Sequence, residues 1–210
     1  KKEITEALNE AKRSYDQAAS TLSKKRQKAA LELNKTITAK LKDLSFTDGK
    51  FEVNLKKIEP SANGNEQVEF LISTYLNAEP RPIQKVASGG ELSRISLAIR
   101  VASVKKANVP IMIFDEVDVG IGGGVAEVVG KLLKDLADDR RQQIFAITHL
   151  PQVAAQSLNH YKVSKEQVNN ETVSQISLLD EGGRVKELAR MLGGVEITET
   201  TIDHAKELLS

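Results

Sequence analysis

Four stretches of this 210-residue chain hold side chains in patterns that could do chemistry. The first is Ile111-Met112-Ile113-Phe114-Asp115-Glu116, two carboxylates directly after an apolar run. If that run is a strand of an open α/β sheet, its carboxyl end is where ligands sit. A carboxylate fixed there can hold Mg²⁺, a cation that takes oxygen ligands and keeps several waters. The adjacent carboxylate, pointing elsewhere, can orient or deprotonate a water. Taken alone, the same pattern also describes a strand that ends in solvated acids.

The second stretch is Val86-Ala87-Ser88-Gly89-Gly90-Glu91-Leu92-Ser93-Arg94. Two glycines let a backbone approach a ligand closely, and the free N–H groups of a first helical turn attract an anion. The plain alternative is a serine N-cap with glycines that serve a bend. The third is His149, in Ile147-Thr148-His149 at the end of another apolar run. It is either a structural histidine or, if the two runs are neighbouring strands, a donor near Asp115 and Glu116. The fourth is Val117-Asp118-Val119-Gly120-Ile121-Gly122-Gly123-Gly124. It matches neither G-x-x-x-x-G-K-[ST], which no segment of the chain contains, nor G-x-G-x-x-G. A phosphate cradle is not expected there.

These groups need elements to position them. Residues 1–44 contain no Gly or Pro, and Ile4, Leu8, Ala11, Tyr15, Ala18 and Leu22 recur in steps of four and three. That is a heptad seam, predicting a long helix that needs a partner. No comparable helix occurs elsewhere in the chain, so the partner is expected from other sequence. Alternation at Phe51, Val53, Leu55 and at Val68, Phe70, Ile72 predicts two strands around a turn-rich 60–65, followed by a loop over 77–87. Then come a helix over about 88–107, the apolar strand at 111–114, a helix over about 124–137, and a second apolar strand at 144–147. Strand, helix, strand with wholly apolar strands predicts a parallel βαβ unit covered on both faces. A short helix after Pro151, strands at about 160–166 and 172–179, and helices at about 184–192 and 198–209 complete the pattern.

Composition narrows the classes further. The chain has no Cys, which removes disulfides, thiolate metal sites and a cysteine nucleophile. The longest apolar run, 109–114, is far short of the ~20 residues of a membrane-spanning helix, so no membrane role is expected. Net charge is +1, yet residues 1–44 hold eleven Lys/Arg against six Asp/Glu and the remainder 19 against 23. A basic arm on a mildly acidic body can attract polyanions, and can equally be a solvated helix surface.

Order and spacing join the motifs. Ser88-Gly89-Gly90-Glu91 is followed 27 residues later by Asp115-Glu116, and His149 stands a further 34 on. This succession resembles the C-terminal half of an ABC-type ATPase head, and the heptad arm entering it is similar to the SMC-like proteins. The wording of 86–99, 114–121, 148–154 and 187–194 is closest to a bacterial branch of that family that repairs DNA double-strand breaks. The resemblance implies an α/β fold, the C-terminal lobe of a P-loop NTPase-like parallel sheet over 45–210, with a coiled-coil arm over 1–44. It further implies an ATPase with ATP and Mg²⁺ as cofactors. Asp115 would hold the metal, and Glu116 and His149 would be catalytic. Ser88, Gly89, Gly90, Glu91 and Asp118 would bind nucleotide. Implied partners are DNA, an N-terminal Walker A lobe of the same protein, and a second head across shared ATP, in a bacterial, nucleoid-associated, cytoplasmic setting. Without Walker A, the chain is expected to be a C-terminal fragment that is inactive alone. A chromosome-organising SMC head and an ABC transporter subunit are the alternatives; the heptad arm counts against the transporter.

Overall fold

A computed structural model of the chain describes residues 2–86, 88–104, 109–115, 118–140, 142–168, 171–194 and 196–210. They form two compact units, 1–88 and 89–210. The architecture is α/β with a parallel strand pair and a long N-terminal helix.

In the first unit, α1 (Lys2–Asp43) is followed by an antiparallel hairpin, β1 (Lys50–Ser61) and β2 (Gly64–Ser73), to which β3 (Arg81–Pro82) adds. The proline-containing 77–87 stretch is therefore not all loop: β3 and a 3-10 turn, Ile83–Lys85, lie inside it. The helix ends without a glycine. Ser45 takes φ 68°, and the Phe46 N–H reaches back to the Leu41 carbonyl at 2.9 Å while Ser45 N–H bonds Lys42 at 3.2 Å. This pair of bonds is a Schellman closure, with buried Leu41 and Phe46 as its apolar contact.

The heptad reading predicts a partner helix for α1. Within this unit α1 also lies along a strand edge over its second two-thirds, while seam residues Ala11 and Ala18 stay exposed. The β1 N–H groups of Phe51 and Val53 donate to Thr38 Oγ1 (3.0 Å) and Asn34 Oδ1 (2.8 Å), and the Ser61 N–H donates to the Tyr15 hydroxyl (3.0 Å). Arg26 pairs with Glu66 at 3.2 Å. The match in length is physical: ten strand steps at about 3.3 Å and 23 helical steps at about 1.5 Å both span about 33–35 Å. Helix side chains thus occupy hydrogen-bonding positions that would otherwise leave an edge strand open. Ahead of Tyr15, residues 2–14 are all exposed, and the seam residues Ile4 and Leu8 remain without cover in this unit.

In the second unit, α2 (Gly89–Val104) leads to β4 (Ile111–Phe114), α3 (Gly124–Arg140) and β5 (Gln143–Ala146). β4 and β5 are parallel and directly adjacent, with Ile111 opposite Gln143 and Phe114 opposite Ala146. The right order of elements was thus predicted, but not the burial. Phe114 is buried, whereas Ile111, Ile113, Phe145 and Ile147 are all exposed, so one face of the pair is bare within this chain. Next come α4 (Pro151–Ala155), an antiparallel hairpin of β6 (Tyr161–Val168) and β7 (Glu171–Leu178), then α5 (Glu181–Gly193) and α6 (Glu199–Leu209). Ala154, Ala155, Leu188, Ala189 and Ala205 form the core of α4, α5 and α6. Small residues there let the three short helices approach closely.

Candidate functional site

The geometry begins with the two parallel strands. Because β4 and β5 are neighbours in register, the residues just beyond their carboxyl ends emerge at one edge. The Ile147 N–H donates to the Phe114 carbonyl at 2.9 Å and extends the ladder one step past β5. Asp115 therefore leaves the end of β4 beside the Thr148-His149-Leu150 loop that leaves β5. Asp115 is exposed and lines a cleft of about 300 Å³ together with Gly89, Ser93, Arg100 and Val119. The start of α2 and the metal-ligand candidate share one concavity.

Asp118 is the organising residue. It is 1% exposed, and one oxygen, Oδ2, accepts from the His149 N–H (2.9 Å), the Leu150 N–H (3.2 Å) and the Thr148 hydroxyl. His149 Nδ1 lies 3.3 Å from the same oxygen, while the imidazole as a whole stays 71% exposed. A buried carboxylate satisfied by three donors fixes the path of the loop that presents His149. The resemblance places Asp118 among nucleotide-binding residues. Its Oδ2 faces inward, to the Thr148 hydroxyl and the amides of His149 and Leu150.

A second joint ties the Asp118 loop to α2. Gly120 has φ 69°, a conformation that glycine adopts without strain. A Cβ on Gly90 would lie 2.8 Å from the Gly120 carbonyl oxygen, and one on Gly120 would lie 2.7 Å from Gly90 Cα. The two backbones touch because neither residue has a side chain. Sequence reasoning singled out Gly90 as a ligand-approach residue and found no use for Gly120. Its one signal was a glycine directly after Val119 in a loop that fits no phosphate motif.

The other predicted residues fall as follows. Gly89 and Glu91 open α2, and the Arg94 Nε donates to the Gly90 carbonyl at 3.3 Å. Ser88 is exposed and belongs to the first unit. Glu116 lies outside the described residues. Among the described residues, no three His, Cys, Asp or Glu side chains converge as a metal cage.

Beyond the 148–150 loop, α4 is braced by α5. Arg184 Nη2 donates to the Ser157 carbonyl at 2.7 Å. Glu187, buried on α5, pairs with Lys162 (2.8 Å) and Arg190 (2.6 Å). Burial alone would raise the Glu187 carboxyl, but hydrogen bonds from Arg190 and Lys162 outweigh it and hold the group below its ordinary range. Burial, then the Arg184 charge, lowers His160 against an opposing pull from Glu187.

Comparison with known proteins places the chain as follows. No protein-family model matches the chain. The protein named DNA repair protein RecN from Xylella fastidiosa (strain Temecula1) is 44% identical over 210 residues, covering 99% of this chain and 37% of that protein. RecN from Haemophilus influenzae is 42% identical over 207 residues, 96% of this chain and again 37% of the relative. The chain thus spans little more than a third of the curated relatives it matches. Among solved structures, an Smc head domain with coiled coil and joint from Pyrococcus yayanosii superposes with TM-score 0.64 at 21% identity, covering 89% of this chain and 35% of that one. An Smc head with extended coiled coil from Pyrococcus furiosus, solved bound to the C-terminal domain of ScpA, gives TM-score 0.61 at 21% identity, over 91% and 44%. That likeness establishes the fold.

Proposed function

From the premise that this chain is a RecN homologue with an SMC-head fold, we propose that it forms the C-terminal lobe of an ATP-hydrolysing head that acts in DNA repair. The observation that carries the reading is the convergence of Asp115, the start of α2 and the Asp118-held His149 loop at one end of a parallel strand pair. Mg²⁺ and ATP supply charge neutralisation and the phosphoryl group. This chain's residues do the positioning. Asp115 offers a carboxylate oxygen to the cation, Glu116 orients the attacking water, and His149 donates to the terminal phosphate. Ser88, Gly89, Gly90 and Glu91 present the first turn of α2 to nucleotide held by a second head, so two copies complete each site. The cradle for the phosphates comes from a Walker A lobe of the same protein. Residues 1–44 are a coiled-coil arm that links head engagement to the holding of DNA, in the bacterial cytoplasm at the nucleoid.

The test uses the full-length protein. Glu116→Gln should leave ATP binding intact and slow hydrolysis by about 10²–10⁴-fold, the usual contribution of a positioned base. Unchanged turnover removes Glu116 from that role. The 210-residue chain alone should show no ATP binding by calorimetry; tight Mg·ATP binding to it defeats the division into lobes.

A further inference from the structure

The basic excess of the first 44 residues has a definite address on α1. Between Gln17 and Lys42 there are seven Lys/Arg and a single acid, Glu32. Two of the seven are engaged: Arg26 by Glu66 and Lys40 by Asp43. At about 100° per residue, Lys24, Lys28, Lys35 and Lys42, with Arg13 further up, fall within an arc of about 60°. All five are exposed. The buried residues of the helix, Ala19, Ala30, Ile37 and Leu41, lie on the opposite side, against the hairpin. The row runs about 44 Å along a helix that is pinned to β1 from Tyr15 to Thr38 and so cannot swing away from a ligand lying on it.

We propose that this row, Arg13-Lys24-Lys28-Lys35-Lys42, is a surface for the phosphate backbone of double-stranded DNA. The proposal deepens the repair reading above. Its chemistry is that of backbone neutralisation: four flexible ammonium groups at steps of four and seven residues, with the Arg13 guanidinium eleven residues ahead of them and one amide, Gln17, on the same arc. Such a surface binds without regard to sequence and releases counterions, so its affinity falls steeply with salt. Tethering by charge along a rigid rod also allows the DNA to slide, since no contact depends on register.

The experiment measures binding of the 210-residue chain to a fluorescent 30-base-pair duplex by anisotropy across a salt series. The variant Lys24→Gln/Lys28→Gln/Lys35→Gln is compared with Lys131→Gln/Lys134→Gln/Lys186→Gln, which removes equal charge from the second unit. At about 0.9 counterions per phosphate contact, the stripe variant should flatten the log–log salt slope by about 2.7 and weaken low-salt binding at least tenfold. The second-unit variant should change neither. Circular dichroism and thermal midpoint confirm that both fold. Equal loss in the two variants shows an unspecific charge effect and overturns the assignment, as does an unaltered slope in the stripe variant. Anionic phosphatidylserine vesicles bound in place of the duplex overturn it in favour of a membrane partner. None of these outcomes touches the head reading, which stands or falls on turnover in Glu116→Gln.

Discussion

Replacing Asp118 by alanine tests how the site is held together. Three donors converge on its Oδ2, from Thr148, His149 and Leu150. The Leu150 N–H keeps a second acceptor, Thr148 Oγ1 at 3.0 Å, and the Thr148 hydroxyl keeps only the distant Leu150 carbonyl at 3.5 Å, so the His149 N–H is stranded in full. Hydrogen bonds to a charged acceptor contribute roughly 1.5–3 kcal/mol each. Because the loop is only partly buried, water recovers some of this, and a net loss of about 3 kcal/mol is expected for Asp118→Ala. The exposed His149 ring adds little. Asp118→Asn keeps the shape and one acceptor oxygen while losing the charge, and should cost about 1 kcal/mol. Urea unfolding of the chain gives both values, and amide exchange at His149 and Leu150 should accelerate in the alanine variant well beyond any change in α6. An alanine variant within about 0.5 kcal/mol of the parent, with unaltered exchange at those two amides, refutes the account of Asp118 as the anchor of the loop.

Two further substitutions probe the neighbouring structure. Gly120→Ala must place a Cβ 2.7 Å from Gly90 Cα at φ 69°, and should destabilise the second unit by about 2–4 kcal/mol. Gly122→Ala, which meets no atom within 4 Å, is the control and should be near neutral in the same denaturation curve. Acid should loosen the α4–α6 region in two stages. Lowered His160 contributes stability fully present above its ordinary value of 6.5 and lost as pH falls below it. Lowered Glu187 contributes stability present above 4.5 and lost as pH falls past its folded value. Glu187→Gln should therefore flatten the lower stage of a plot of Tm against pH and cost about 1 kcal/mol near neutrality, since Lys162 and Arg190 are substantially solvated. A chain more stable at pH 5 than at pH 7 contradicts the His160 assignment, and a Tm that does not fall further below pH 4.5 contradicts the Glu187 one.

Much of this was readable from the residues because the signals were local. Four apolar residues before Asp115, and an apolar run ahead of Thr148-His149, marked two adjacent parallel strands. The helices expected after Pro151 and at about 184 and 198 begin at Pro151, Glu181 and Glu199, the last two behind the caps Asp180 and Thr198. What escaped depended on tertiary partners. The steps of four and three on α1 say nothing of the β1 edge, which Asn34 and Thr38 reach from positions flanking the apolar seam. The apolar β4 and β5 residues implied cover on both faces, yet hydrophobicity does not say which chain segment provides it. The inward turn of Asp118 and the Gly90–Gly120 contact needed coordinates, because both join residues about 30 positions apart.

The row of clamps along α1 also makes the helix a lever. Tyr15, which bonds both Ser61 and Asn65, is the clamp nearest the start of α1, and residues 2–14 extend for about 20 Å ahead of it. A sideways pull on residues 2–14 bears first on one phenol and the Ser61–Gly64 turn, then on Arg26–Glu66, and only later on the buried residues Ile37 and Leu41. Force entering the arm is thus delivered to the hairpin in a fixed sequence, with the turn at its tip as the fulcrum.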